Sequence, residues 1–89
     1  MERAPKDREF EAALRYFMKK HDWDEFELAR KSGFRVAPAA IRAWLSGLNE
    51  PSNKSVRILC ETFEVHRWWF WYQGHEIVEG RFPSADAAR

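Results

Sequence analysis

Six cationic side chains, Arg30, Lys31, Arg35, Arg42, Lys54 and Arg57, fall between positions 30 and 57, a stretch whose only acid is Glu50. The flanks are acidic: residues 1–29 hold eight Asp or Glu against six Lys or Arg, and residues 58–89 hold five against three. A formal net charge of +1 therefore conceals a basic centre. Gathered on one face, these side chains would make the positive patch that meets phosphate; dispersed, they would be an ordinary solvated surface, and charge alone does not choose between the two.

The residue types that do covalent or metal chemistry are sparse. His21, His66 and His75 are scattered, and Cys60 is the only cysteine. Cys60 stands beside Leu59 on an apolar helical stripe and reads as a core thiol. A lone cysteine without a neighbouring histidine supplies neither a zinc site nor an activated nucleophile. The chain also lacks a phosphate-cradling glycine loop and a Ser-His-Asp pattern in recognisable context. The expectation is a protein that is not an enzyme, with no metal, no cofactor and no small-molecule substrate.

The second unusual feature is the unbroken aromatic run Trp68, Trp69, Phe70, Trp71 and Tyr72. One side of a helix cannot bury five consecutive rings, so three readings stand open. The rings could be covered by a C-terminal arm containing Ile77, Val78 and Phe82. Trp68, Trp69, Trp71 and Tyr72 could form a homodimer interface, where such residues are favoured anchors. The rings could also stack on the bases of single-stranded nucleic acid, although only His66 and Arg67 supply flanking charge.

Eighty-nine residues, 45% of them hydrophobic, suffice for one core and no more. No apolar run approaches the roughly 18 residues of a membrane span, and residues 1–8 are too charged for a secretion signal. Without a cysteine framework the chain suits a reducing compartment, so a cytoplasmic protein is expected, with no membrane partner.

The periodicity is helical throughout. Phe10, Ala13, Leu14, Phe17 and Met18 share one face of a first helix over residues 7–20, with Lys19, Lys20 and His21 at its C-terminal end. Asp24 and Glu27 have capping-box spacing, flanked by Trp23 and Leu28 as a hydrophobic staple, so a second helix begins at Asp24 and stops before Gly33. A third starts near Pro38, carries Ile41, Trp44 and Leu45, and ends at Gly47. Ser52 caps a fourth with the apolar face Val56, Leu59, Cys60 and Phe63. A fifth is expected over residues 66–73, with Gly74 beyond it, an extended arm through Ile77, Val78 and Phe82, and a loose tail from Pro83. No internal repeat and no sheet-like alternation occur. The expected fold is all-α: a compact five-helix orthogonal bundle over residues 7–74, with residues 1–6 as an N-terminal extension and 75–89 as a short C-terminal arm and tail.

Two short helices joined by a glycine-bearing turn, followed by Pro51-Ser52 and another helix, are the most informative segment. From Phe10 to Val65 the sequence resembles the lambda-repressor-like helix-turn-helix domains of phage and bacterial regulators, the Cro and xenobiotic-response-element type. The likeness rests on Glu27-Leu28-Ala29-Arg30-Lys31-Ser32-Gly33, Ile41-Arg42-Ala43-Trp44-Leu45-Ser46-Gly47 and Pro51-Ser52. It implies a sequence-specific, double-stranded DNA-binding transcriptional regulator, cytoplasmic and nucleoid-associated when bound, with the third helix in the major groove and a homodimer as the binding unit. Carried over by position, Ala39, Ala40, Arg42, Ala43 and Ser46 would face the bases, with Arg35 in the turn before them. Asn49, Asn53 and Lys54 would approach phosphate. Two features depart from the family pattern: the connection from Gly33 to Ile41 is two residues longer, and Glu25 stands where a phosphate-touching glutamine is common. Because Ala39, Ala40 and Ala43 offer only methyl groups, hydrogen-bonded readout would fall to Arg42 and Arg35. The alternative is a protein-interaction module that keeps the fold without DNA binding.

Overall fold

The stripe of Phe10, Ala13, Leu14 and Phe17 becomes the buried face of α1 (Pro5–His21). A computed structural model describes residues 5–81, with side chains from Arg8 onward. Four further helices follow among the described residues, α2 (Glu25–Lys31), α3 (Pro38–Leu45), α4 (Asn53–Phe63) and α5 (Arg67–Val78), with no strand. The all-α expectation holds, with α2 and α3 as the helix-turn-helix pair.

Local signals set the helix starts. Pro5 opens α1 two residues earlier than periodicity suggested, since a first-turn proline gives up no intrahelical hydrogen bond. The Asp24 carboxylate accepts from the Glu27 amide at 2.8 Å, and the Ser52 hydroxyl accepts from the Ser55 amide at 3.1 Å. The Glu27 side chain turns to Arg30 rather than back to the cap. His66 caps α5 through Nδ1, which accepts from the Trp68 amide at 3.4 Å.

The helix ends share one device. Beyond each helix a residue takes a left-handed φ, at Asp22, Gly33, Gly47, Glu64 and Gly80, with Phe34 a second one after α2. Two amides then reach back into the last turn; for α2, Gly33 donates to the Arg30 carbonyl at 2.9 Å and Phe34 to that of Ala29 at 2.8 Å.

Phe10, Phe17 and Phe70 form the centre of the core. Phe17 stacks on Phe70 at 5.7 Å and packs against Phe63 of α4 at 5.5 Å, while Phe10 meets Trp44 of α3 edge-on at 5.9 Å. These rings tie α1, α3, α4 and α5 together, each pair adding about 0.5–1.5 kcal/mol beyond its burial. Cys60 lies in the same core, where burial pushes its thiol up to about 11, as expected of an inert side chain.

The C-terminal region departs from expectation. α5 runs past Gly74 to Val78, so Ile77 and Val78 are helical rather than extended, and Ile77 packs partly against the core. The physical reason is the approach of α1: a Cβ at position 74 would lie 2.0 Å from the Glu9 carbonyl oxygen and 3.1 Å from Ala13 Cβ. Gly74 permits this contact rather than ending the helix. Phe82 and the tail from Pro83 lie outside the described residues. One step further along α5, His75 Nδ1 sits 2.7 Å from Glu9 Oε2, and that hydrogen bond raises the His75 pKa.

Two measurements check this helix pairing. Helix propensity alone would make Gly74→Ala stabilising by about 1 kcal/mol. The clash with the Glu9 backbone predicts the opposite sign, a loss of about 1–3 kcal/mol, or a melting temperature lower by roughly 5–20 °C. For His75, a folded-state pKa above the ordinary 6.5 means stabilisation fully present below that value and lost as pH rises through the raised one. The melting temperature of wild type should exceed that of His75→Gln at pH 5.5, and the gap should narrow toward pH 8.5; a gap that widens would overturn the assignment.

Candidate nucleic-acid interface

Burial of Ile41 and Trp44 fixes which side of α3 faces outward. With about 100° between successive residues, Ala39, Arg42, Ala43 and Ser46 share the opposite face. Ala39, Arg42 and Ser46 are exposed and Ala43 is half-buried, as the sequence placed them. Ala40 departs: it is half-buried and packs against the core, one step round the helix from the outer face. The Ser46 hydroxyl donates to the Arg42 and Ala43 carbonyls at 3.2 and 3.1 Å, which leaves its oxygen only as an acceptor. Arg42 is thus the one outward residue of α3 whose side chain can donate hydrogen bonds.

The turn between α2 and α3, residues 32–37, absorbs its extra length inward. Ser32 is buried, its hydroxyl donating to the Ala29 carbonyl at 2.7 Å and accepting from the Val36 amide at 3.4 Å, and Val36 enters the core. Arg35 stays exposed but is tied down. Its Nε donates to the Ser32 carbonyl at 2.8 Å and its Nη1 to Glu61 of α4 at 2.9 Å. The guanidinium expected to stand before the reading helix instead straps the turn to α4.

The same pairing recurs across the basic centre. Arg30 is bound to Glu27, Arg42 Nη2 meets Glu25 Oε1 at 3.2 Å, and Lys31 lies over the Trp23 ring at 5.8 Å. Four of the six central cations therefore have anionic or aromatic partners, three of them carboxylates from the acidic flanks. Lys54 and Arg57 have none among the described residues. Three apart on α4, they share its exposed side next to Asn53, at a helix start with no acid in its first turn. Asn49 is exposed in the preceding loop. Arg57 belongs to the basic centre but not to the contacts that the family resemblance implies; its spacing of three from Lys54 is the signal that points to it.

Exposed carboxylate pairs of this kind are worth about 0–1 kcal/mol, whereas a hydrogen bond to a charged group is worth about 1.5–3 kcal/mol. An arginine on this surface can exchange its partner for a nucleic-acid acceptor at small cost. Paired as they are, though, the arginines project less positive field than their number suggests.

The aromatic run divides between core and surface. Phe70 is fully buried, and Trp71 is half-buried against Phe10 at 6.1 Å and Phe70 at 5.8 Å, so Trp71 leaves the candidate interface and complete burial of the run does not occur. Trp68, Trp69 and Tyr72 remain 61%, 38% and 44% exposed. They contact one another, Trp69 stacking on Tyr72 at 5.6 Å and Trp68 meeting Trp69 edge-on at 5.6 Å. A hydrogen bond to Glu76 raises the Tyr72 pKa and lowers that of Glu76, which also pairs with Arg81 at 2.6 Å.

A groove of about 810 Å³ runs between α1, α2 and the end of α3. Arg8, Arg15 and Lys19 line it together with Glu11, Asp24 and Glu27, a mixture without the histidine or cysteine that would suggest chemistry. No helix among the described residues is long and apolar enough to cross a membrane.

The helix-turn-helix family, in its lambda-repressor and Cro-like form, matches residues 14–70, from within α1 to the middle of α5. It is a family of DNA-binding transcription regulators. No curated protein and no solved structure matches the chain.

Proposed function

We propose that this chain, which belongs to the lambda-repressor and Cro-like helix-turn-helix family, is a sequence-specific binder of double-stranded DNA and a small transcriptional regulator of the phage or prophage type. The observation that carries this reading is the outer face of α3. Ala39 and Ala43 leave it low enough to enter a major groove, and Arg42 projects from its centre. Arginine reads guanine through two parallel hydrogen bonds to O6 and N7, and the alanine methyls suit contact with thymine. Asn49, Asn53, Lys54 and Arg57 then take the phosphates, joined by the amides at the start of α4.

One guanine contact per subunit discriminates by only about 1–3 kcal/mol, so useful specificity calls for two subunits on repeated half-sites. The exposed Trp68, Trp69 and Tyr72 cluster is the surface we assign to that homodimer. A second reading, a protein-interaction module on the same fold, draws on the same cluster and on the neutralised arginines.

A titration of mixed genomic duplexes, including the gene's own upstream region, at two salt concentrations separates them. Selective binding that weakens with salt, its selectivity lost in Arg42→Ala, is the expected result. With Lys54 and Arg57 as the cationic phosphate contacts, the log–log salt slope should be about −2 per subunit. No binding at low salt by a folded protein would sink the regulator reading in favour of the interaction module. Sedimentation should show a dimer that Trp68→Ala dissociates, with loss of affinity for paired half-sites; an unchanged assembly would remove α5 from the interface.

A further inference from the structure

The carboxylate at the start of α2 is out of place on a surface that approaches phosphate, yet it has a definite partner. Glu25 Oε1 accepts from Arg42 Nη2 at 3.2 Å. We propose that Glu25 is a positioning residue that makes Arg42 a guanine reader and keeps it from serving as a general phosphate contact. This rests on the DNA-binding reading above and adds to it the residue that sets specificity.

The geometry supports the role at both ends of the contact. Glu25 follows the Asp24 cap, whose carboxylate fixes the first turn of α2 through the Glu27 amide at 2.8 Å, so the Glu25 backbone is anchored. Its side chain is 27% exposed, against 61% for Arg42, so the better-held partner is the acid. Of the neighbours of Arg42 on the outer face, Ala39 and Ala43 cannot hold a guanidinium, and the Ser46 hydroxyl is turned to the Arg42 and Ala43 carbonyls. Without Glu25 a long, rotamer-rich side chain would be free to swing to phosphates on either strand. The contact occupies one of five guanidinium N–H groups, leaving enough for a bidentate contact with guanine. The negative charge also repels phosphate. A site lacking the guanine offers Arg42 only single phosphate contacts, against which the Glu25 charge acts, whereas the guanine offers two parallel hydrogen bonds.

The test compares wild type, Glu25→Gln, Arg42→Ala and the double variant. The probe is a duplex selected from random sequence by the wild type. Its critical guanine is the one whose N7 wild type, but not Arg42→Ala, shields from dimethyl sulfate, and a second duplex replaces that G·C pair by A·T. Thermal melts confirm that each variant is folded. Glu25→Gln should bind unrelated duplex about fivefold more tightly, the effect of removing one exposed like charge. Its salt slope should steepen by about one unit as Arg42 becomes a phosphate contact. Its preference for the G·C duplex should fall about five- to tenfold, much of what one bidentate contact supplies. In the Arg42→Ala background Glu25→Gln should leave base preference unchanged. If wild type selects a duplex but Glu25→Gln keeps its preference and slope, or changes preference equally without Arg42, the role of Glu25 is overturned while the DNA-binding reading stands. If wild type selects no duplex, the DNA-binding reading itself fails.

Discussion

The approach of α5 to α1 at Gly74, where no side chain heavier than hydrogen fits against the Glu9 carbonyl, brings the two ends of the described chain into one platform. Phe10, Phe17 and Phe70 interlock on it, and α3 and α4 dock against those rings through Trp44 and Phe63. The helix-turn-helix pair needs this support because it contributes little core of its own: α2 buries Leu28 and Ala29, and α3 buries Ile41 and Trp44. Trp44 rests edge-on against Phe10, and Arg15 of α1 donates to the Leu45 carbonyl at 2.8 Å, holding the C-terminal end of α3. The direction in which Arg42 points is thus set through α1 by a contact on the far helix.

Charge behaves differently in the fold than along the chain. The basic centre and acidic flanks suggest separate regions of opposite sign, but folding interleaves them. Glu25 reaches Arg42 and Glu61 reaches Arg35, so the cations of the basic centre without a partner among the described residues are Lys54 and Arg57 on α4. The composition is that of a basic-centred protein, while the surface is a mixed one on which particular cations are held in particular places.

These contrasts show what could be read from the sequence and why. Helix starts were legible at Asp24 and Ser52 because a cap joins residues three apart, and at Pro38 because a proline suits the first helical turn. The outer face of α3 was legible because its periodicity is local as well. Ala40 was misplaced because alanine, small and neutral, suits either side of a helix. The role of Gly74 was hidden for a related reason: glycine both ends helices and permits close packing, and only the surface of α1, sixty-odd residues earlier, decides between them. Arg35–Glu61 and Arg42–Glu25 join residues 26 and 17 apart, and no local rule pairs them. The aromatic run was recognised as too large to bury, but its division into core and exposed rings depends on where Phe10 and Phe17 come to rest.

The platform also separates two boundaries that are easily taken for one. The segment that carries the family likeness, residues 14–70, holds the whole of α2, α3 and α4. It omits Glu9 and Phe10 at one end and Trp71, Gly74 and His75 at the other, the residues that close α1 onto α5. A fragment trimmed to the likeness would keep the reading helix and lose much of the scaffold that aims it. The unit of recognition is shorter than the unit of folding, and a transplant of this domain into another protein has to be cut along the latter.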